Sequence, residues 1–110
     1  MSVLVQAYLP TDMEDYAKSI ASRLKIAILE DLTLKEDDIC VVVIPVMNKA
    51  AAIVVHSERT VSYLRRETWK NSLANNWEGF IHLWPGFKSL GMKILIFGEQ
   101  TDINPFSHPI

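Results

Sequence analysis

The sequence predicts a two-layer α+β sandwich of ferredoxin-like type with the element order β-α-β-β-α-β. Three observations predict it: apolar runs of strand length, two helix-periodic stretches between them, and four glycines that all lie beyond residue 78. A chain of 110 residues is the size of one domain. We therefore expect a single α+β domain over residues 1–98 and a surface arm over 99–110, which carries two prolines.

The first third of the chain predicts a strand, a long helix and a turn. Residues 3–9 are rich in β-formers, and Thr11 and Glu14 have the spacing of a helix capping box. A helix should follow to about residue 30, and a turn over residues 33–38. Apolar residues recur every three or four positions along that helix, at Met13, Tyr16, Ile20, Leu24 and Ala27.

The middle of the chain predicts two strands. Residues 39–46 form an unbroken, valine-rich apolar run, which is typical of a strand buried on both faces. Cys40 would then be an inert core thiol. Pro45 belongs near the end of this strand or at a sheet edge, since it lacks an N–H donor. Met47 to Lys49 is a weak hairpin signal before the next strand at residues 50–55.

The last part predicts a second helix, an irregular aromatic segment and a final strand. The helix would cover residues 57–75, with Ser57 or Thr60 as its N-cap. Its moderate apolar stripe consists of Val61, Leu64, Thr68 and Leu73. Residues 77–91 fit either a short helix or irregular structure, and residues 92–97 form the final strand.

Composition excludes several classes of protein. No apolar run reaches the ~20 residues of a membrane span, and the start has neither a basic region nor an apolar stretch, so we expect a cytoplasmic protein. A net charge of -2 argues against nucleic-acid binding, even through the basic face of Arg59, Arg65, Arg66 and Lys70. One cysteine and three scattered histidines predict no disulfide framework and no metal site. The glycines form no phosphate loop, and no cofactor is predicted.

The predicted sheet also indicates self-association. Two helices on one face leave the other face uncovered, and Val41, Val43, Ile53 and Val55 suggest strands that are apolar on both sides. A second copy of the chain is the simplest cover. We therefore expect a homodimer or a higher homo-oligomer.

Two groups of residues are candidates for ligand binding. His56, Ser57 and Arg59 lie where a strand meets the predicted helix, whose N-terminus would favour a small anion or a carboxylate. The alternative is an ordinary capped helix with a solvated basic face. Trp77, Phe80, Trp84 and Phe87 could form a pocket wall or a partner surface. Alternatively, these aromatics plug the open end of the sheet.

The first 46 residues resemble the βαβ unit of the tautomerase superfamily. The similar features are a short opening strand, a long helix, the connection Leu34-Lys35-Glu36-Asp37-Asp38-Ile39 and a valine-rich second strand. The resemblance implies a catalytic amino-terminal proline exposed by removal of Met1, but Ser2 occupies that position and Pro10 is internal. The proline chemistry would then be absent. The whole-chain order also resembles dimeric α+β barrel proteins, some of which are small monooxygenases, although fold does not give function.

Two functions remain open at this point. The first is a non-catalytic, homo-oligomeric domain that binds a protein partner or a small ligand, because no catalytic constellation is evident. The second is a small tautomerase-, isomerase- or monooxygenase-like enzyme acting on a carboxylate- or carbonyl-bearing metabolite. His56 would be its general acid/base, since histidine ordinarily titrates at about pH 6.5. This requires His56 and Arg59 to face one cavity together with Trp77 or Trp84.

Overall fold

The computed structural model describes residues 2–47, 51–58, 61–81 and 92–98, so the predicted arm over 99–110 lies outside the described residues. The element order agrees with the prediction. The strands are β1 (Val3–Pro10), β2 (Ile39–Val46), β3 (Ala51–Ser57) and β4 (Met92–Phe97), and the helices are α1 (Ala17–Leu29) and α2 (Tyr63–Ile81). Short 3-10 turns occupy Thr11–Tyr16 and Glu36–Asp38.

The sheet order differs from the ferredoxin-like expectation. The strands lie in the order β2-β1-β3-β4, with β1 parallel to β2, β1 antiparallel to β3, and β3 parallel to β4. Each helix therefore connects two directly paired strands, whereas a split βαβ arrangement inserts another strand between them. The hairpin expected at Met47 is also wrong, because β2 and β3 lie on opposite sides of β1. The ferredoxin-like arrangement and the observed one share the chain order β-α-β-β-α-β. The order of elements in the sequence therefore could not distinguish them.

The covered face of the sheet forms the core with the two helices. Alternate residues of β1, namely Val3, Val5, Ala7 and Leu9, are almost completely buried. The predicted stripe of the first helix is confirmed, since Met13, Ile20, Leu24 and Ala27 are buried and Tyr16 packs against them. The capping box is not formed. Thr11 instead begins a 3-10 turn that follows Pro10 without a side-chain cap.

Helix α2 begins later than predicted and buries a different face. Ser62, rather than Ser57 or Thr60, accepts a hydrogen bond from the backbone N–H of Arg65 at 3.1 Å, and the helix starts at Tyr63. Leu64 is 73% exposed and Thr68 is exposed, so the predicted stripe is wrong at these positions. The buried positions are those of Trp69, Ser72, Leu73 and Trp77. Large aromatic side chains, spaced by helical turns, thus determine which face packs.

A polar cluster joins α2 to the end of α1. The indole Nε1–H of Trp69 donates to Asp31 Oδ2 at 3.0 Å, and Arg65 Nε pairs with the same oxygen at 3.0 Å. Burial alone would raise the pKa of Asp31, but hydrogen bonds from Thr33 and Trp69 together with the Arg65 charge outweigh it, so this pKa lies below its ordinary 3.8. Ser72 Oγ–H also donates to Glu30. These bonds tie α2 to the end of α1.

The second face of the sheet carries neither helix, and we call it the open face. Val42, Leu95 and Phe97 are 42%, 46% and 51% exposed there. The four residues that suggested strands apolar on both sides, Val41, Val43, Ile53 and Val55, all pack on the covered side. Cys40 and Val42 of β2 are exposed, so the expected burial of this strand on both faces is wrong, and Cys40 is not a core thiol. Neither described helix combines the length and hydrophobicity of a membrane span.

Candidate functional site

One row of open-face residues crosses all four strands near the start of β1. The register pairs Leu4 with Cys40 of β2 on one side and with His56 of β3 on the other. His56 is paired in turn with Phe97 of β4. The next row contains Gln6, which is opposite Val42 and Val54. Because side chains at alternate positions share a face, Leu4 and Gln6 project toward the same solvent region.

A groove of about 380 Å³ lies at this end of the sheet, and we call it the β1 groove. It is bounded by the starts of β1 and β2, the 3-10 turn before β2, and the end of β3. Its polar and ionisable lining residues are Ser2, Asp37, Asp38, Cys40, His56, Ser57 and Glu58. The N–H of Glu58 donates to the carbonyl oxygen of Ser2 at 3.1 Å, which ties the end of β3 to the start of β1.

The imidazole of His56 is exposed, but contacts with Gln6 and Phe97 restrain its orientation. Its Nε2 lies 3.1 Å from Gln6 Oε1, and its ring stacks on Phe97 with centroids 5.4 Å apart and planes at 17°. The hydroxyl of Tyr8 donates to the same Gln6 oxygen at 3.5 Å. Since a carbonyl oxygen only accepts, Nε2 carries the proton in this arrangement and Nδ1 keeps a lone pair. The neutral ring therefore has a defined basic nitrogen.

Carboxylates give the groove an acidic side. The backbone N–H of Lys35 donates to Asp38 Oδ2 at 2.9 Å, which lowers the pKa of Asp38 below its ordinary 3.8 with further help from the Lys35 charge. Asp37 and Glu58 add two more carboxyl groups. The described part of the lining contains no lysine or arginine. Within the described ranges, no three His, Cys, Asp or Glu side chains are grouped as metal ligands.

The predicted anion site is only partly assembled. His56 and Ser57 both line the β1 groove, at the end of a strand. The expected help from a helix N-terminus is wrong, because α2 begins at Tyr63, several residues after Ser57. Arg59 lies outside the described residues.

The four aromatic candidates for ligand binding are also only partly described. Trp77 is 3% exposed and belongs to the core between α2 and the sheet, so it is not a surface anchor. His56 lies on the opposite face, and the hypothesis that Trp77 and His56 share a cavity is therefore wrong. The side chain of Phe80, together with Trp84 and Phe87, lies outside the described residues.

Sequence reasoning missed the closest neighbours of His56. Gln6 and Phe97 come from β1 and β4, at positions distant in sequence, and only the strand order makes them adjacent. One signal was present in the sequence. Gln6 is the only side chain with an amide in a run of β-formers, which marks an unusual position on the first strand. Without the pairing, however, its partner could not be named.

The chain is similar in fold to several solved structures. No protein-family model matches it, and no curated protein is significantly similar in sequence. The structure of 5-carboxymethyl-2-hydroxymuconate delta-isomerase has a TM-score of 0.72 at 9% identity, covering 94% of this chain and 85% of that chain. Malonate semialdehyde decarboxylase has a TM-score of 0.62 at 13% identity, covering 97% and 92%.

A third similar structure is described as a fused 4-OT wild type asymmetric trimer, with a TM-score of 0.57 at 12% identity, covering 96% of this chain and 94% of that chain. Together these structures identify the architecture of the described residues as a small, tautomerase-like α+β fold with a four-stranded mixed sheet and two helices. At such low identities the similarity concerns the fold alone.

Proposed function

We propose that this protein is a small isomerase-type enzyme that moves a proton next to the carbonyl of a metabolite, with His56 as general acid/base. The observation that carries the proposal is the held imidazole at the β1 groove. Gln6 orients the ring through Nε2 at 3.1 Å, and Phe97 supports one face. A titratable group that is exposed, oriented and beside a groove meets the geometric requirement for proton transfer.

The proposed reaction follows from the tautomer. Nδ1 of the neutral ring takes a proton from the carbon next to the substrate carbonyl, and the C–H electron pair passes into an enolate. The imidazolium then returns the proton to another atom of the same conjugated system, so no net charge or electron is transferred. Arg59, which follows Glu58 in the chain, is the proposed holder of a substrate carboxylate. In this proposal the proton is carried by His56 and not by a proline.

The structural relatives support this class of chemistry. Two of them are named as an isomerase and as a decarboxylase of a semialdehyde, which is a carbonyl compound. Both titles concern those proteins, and this chain shares their fold at low identity. The proposal transfers only the reaction class and places it on residues of this chain.

The enzyme is proposed to work as a homo-oligomer. The open face carries Val42, Leu95 and Phe97 as half-exposed apolar side chains, an arrangement that favours coverage by a second copy. One relative with this fold is described as a trimer. Because His56 and Phe97 lie on the open face, assembly would also enclose the groove.

A second candidate is the non-catalytic, homo-oligomeric binding domain. The acidic lining favours it, because Asp37, Asp38 and Glu58 would repel the carboxylate of an anionic substrate. In that case His56 and Gln6 would be hydrogen-bonding groups in a ligand site or an interface. The two candidates differ in whether protons next to a carbonyl exchange in the presence of the protein.

Proton exchange with solvent deuterium tests the proposal. Phenylpyruvate and the neutral ketone phenylacetone serve as probes, and loss of the proton signal next to each carbonyl is followed by NMR. We expect faster exchange with the wild type and a loss of at least ~100-fold in His56→Gln, which is the size of a general-base contribution. Lys93→Gln is the matched control, since Lys93 is exposed on the same face two rows away.

Equal rates for His56→Gln and the wild type would rule out His56 as the base. A folded, assembled wild type that exchanges neither probe would favour the binding domain. Exchange of phenylacetone alone would indicate that the acidic lining excludes carboxylates.

A further inference from the structure

The backbone on both sides of Phe97 is held by an arginine from the covered side of the molecule. Arg66 lies in the first turn of α2, and its guanidinium donates through Nη1 to the carbonyl of Ile96 and through Nη2 to the carbonyl of Gly98, the latter at 2.9 Å. The two acceptors bracket Phe97 in the chain. A planar guanidinium that donates to two carbonyl oxygens holds them in a defined relative orientation. A single amine would restrain them far less.

The third guanidinium nitrogen of Arg66 does not compete with these two hydrogen bonds. Its Nε is buried and has no acceptor among the described residues. The orientation of the guanidinium is therefore determined by the two carbonyl groups. β4 is an edge strand with β3 as its only neighbour in the described sheet, so the last residues of β4 have little other restraint.

The aromatic ring between the two carbonyls has little packing of its own. Phe97 is half-exposed on the open face, and its described ring contact is the stack with His56. A half-exposed ring takes its direction mainly from its own backbone. Arg66 thus connects α2, on one side of the sheet, to the imidazole on the other side.

We infer that Arg66 is a positioning residue for His56, acting through the backbone of Phe97. Any effect of Arg66 on a reaction rests on the proposed function. The positioning of the His56 ring does not depend on that function. Arg66 does not line the β1 groove, so it is not a catalytic residue. Arg65 next to it is a matched comparison, because its guanidinium pairs with Asp31 and makes no described bond to β4.

The test uses the full chain without ligand and follows the ring protons of His56 by NMR, assigned with His56→Gln. The ring current of the stacked Phe97 should displace these signals, and Phe97→Leu should remove the displacement. Arg66→Met should remove most of it, and the double variant should coincide with Phe97→Leu alone. Arg66→Lys should give an intermediate position, and Arg65→Met should leave the signals unchanged.

Unchanged His56 signals in Arg66→Met would overturn the inference, as would a further displacement by Arg66→Met when Phe97 is already leucine. If Arg66→Met fails to fold, unchanged signals in Arg66→Lys overturn it equally.

The activity of the same variants separates the two proposals. With an active wild type, Arg66→Met should lower kcat by up to about 100-fold, the cost of misplacing a reacting group by ~1 Å, while KM stays unchanged. A displaced His56 signal together with an inactive wild type leaves the positioning intact and refutes the proposed function. An active wild type with an undisplaced signal refutes the positioning alone.

Discussion

The two faces of the sheet are built from similar apolar residues but differ in what surrounds them. On the covered face, Val5, Ile53 and Val55 have no exposed surface, and on the open face Val42 and Leu95 remain nearly half exposed. Their polar groups differ as well. Hydrogen bonds of Asp31 and Glu30 tie α2 to the end of α1 on the covered side, whereas the open face has the short chain of Tyr8, Gln6 and His56. One face is therefore packed into the fold, and the other is the surface on which the proposed assembly and chemistry depend.

The largest effect is expected from a charge on the open face. Leu95→Lys removes an apolar contact of ~2 kcal/mol and places an ammonium in the proposed interface, so self-association should weaken by at least ~100-fold. Sedimentation velocity over a range of concentrations measures it. Leu64→Lys is the control, because Leu64 is exposed on α2 and away from the sheet. Equal weakening by both variants, or none by either, would mean that the open face does not mediate assembly.

Two adjacent valines of β3 allow the contributions of the two faces to the free energy of unfolding to be compared directly. Val55 is fully buried on the covered face and Val54 is half-buried on the open face. Val55→Ala should lower the free energy of unfolding by about 2–3 kcal/mol through lost burial and a cavity. In dilute solution Val54→Ala should cost less than ~1 kcal/mol, and its cost should grow with protein concentration. Urea unfolding at two concentrations measures both, and equal costs at each would remove the distinction between the faces.

The polar cluster of the covered layer should be worth less than its apolar contacts. Asp31→Asn loses the charge that Arg65 and Trp69 bind, and we expect a loss of about 1–2 kcal/mol near neutral pH. The folded pKa of Asp31 is lowered, so its contribution is present above the ordinary 3.8 and disappears as the pH falls through the folded value. The difference between the wild type and Asp31→Asn should therefore shrink as the pH falls below 3.8. A difference that is constant with pH would contradict this account.

Local patterns were readable from the sequence, and pairing was not. The stripe of α1 follows directly from helical spacing, and Met92–Phe97 has the predicted bounds because its apolar run is isolated. The start of α2 was misplaced because Ser57, Thr60 and Ser62 are all acceptable caps, and only tertiary packing selects among them. The site depended on strand order. His56 was recognisable as a candidate, but Gln6 and Phe97 contact it only because the sheet joins distant segments, and Arg66 reaches the backbone around Phe97 in the same way.

The smallest effect on stability should come from Gln6 and His56, the hydrogen-bonded pair on the open face. A substitution at this pair therefore tests most sharply whether the two faces have different roles. Gln6 is half-buried, and Gln6→Leu replaces its amide with an apolar group on a largely apolar surface. We expect the free energy of unfolding to change by less than ~0.5 kcal/mol, typical of surface substitutions. Without the acceptor at Nε2, the ring loses the hydrogen bond that fixes the direction of the basic Nδ1, so exchange of the carbonyl probes should fall about tenfold or more. Gln6→Glu keeps an acceptor oxygen and should restore most of the rate. If Gln6→Leu destabilises the protein as much as Val55→Ala does, the pair belongs to the structural framework, and the open face is not reserved for contacts and chemistry.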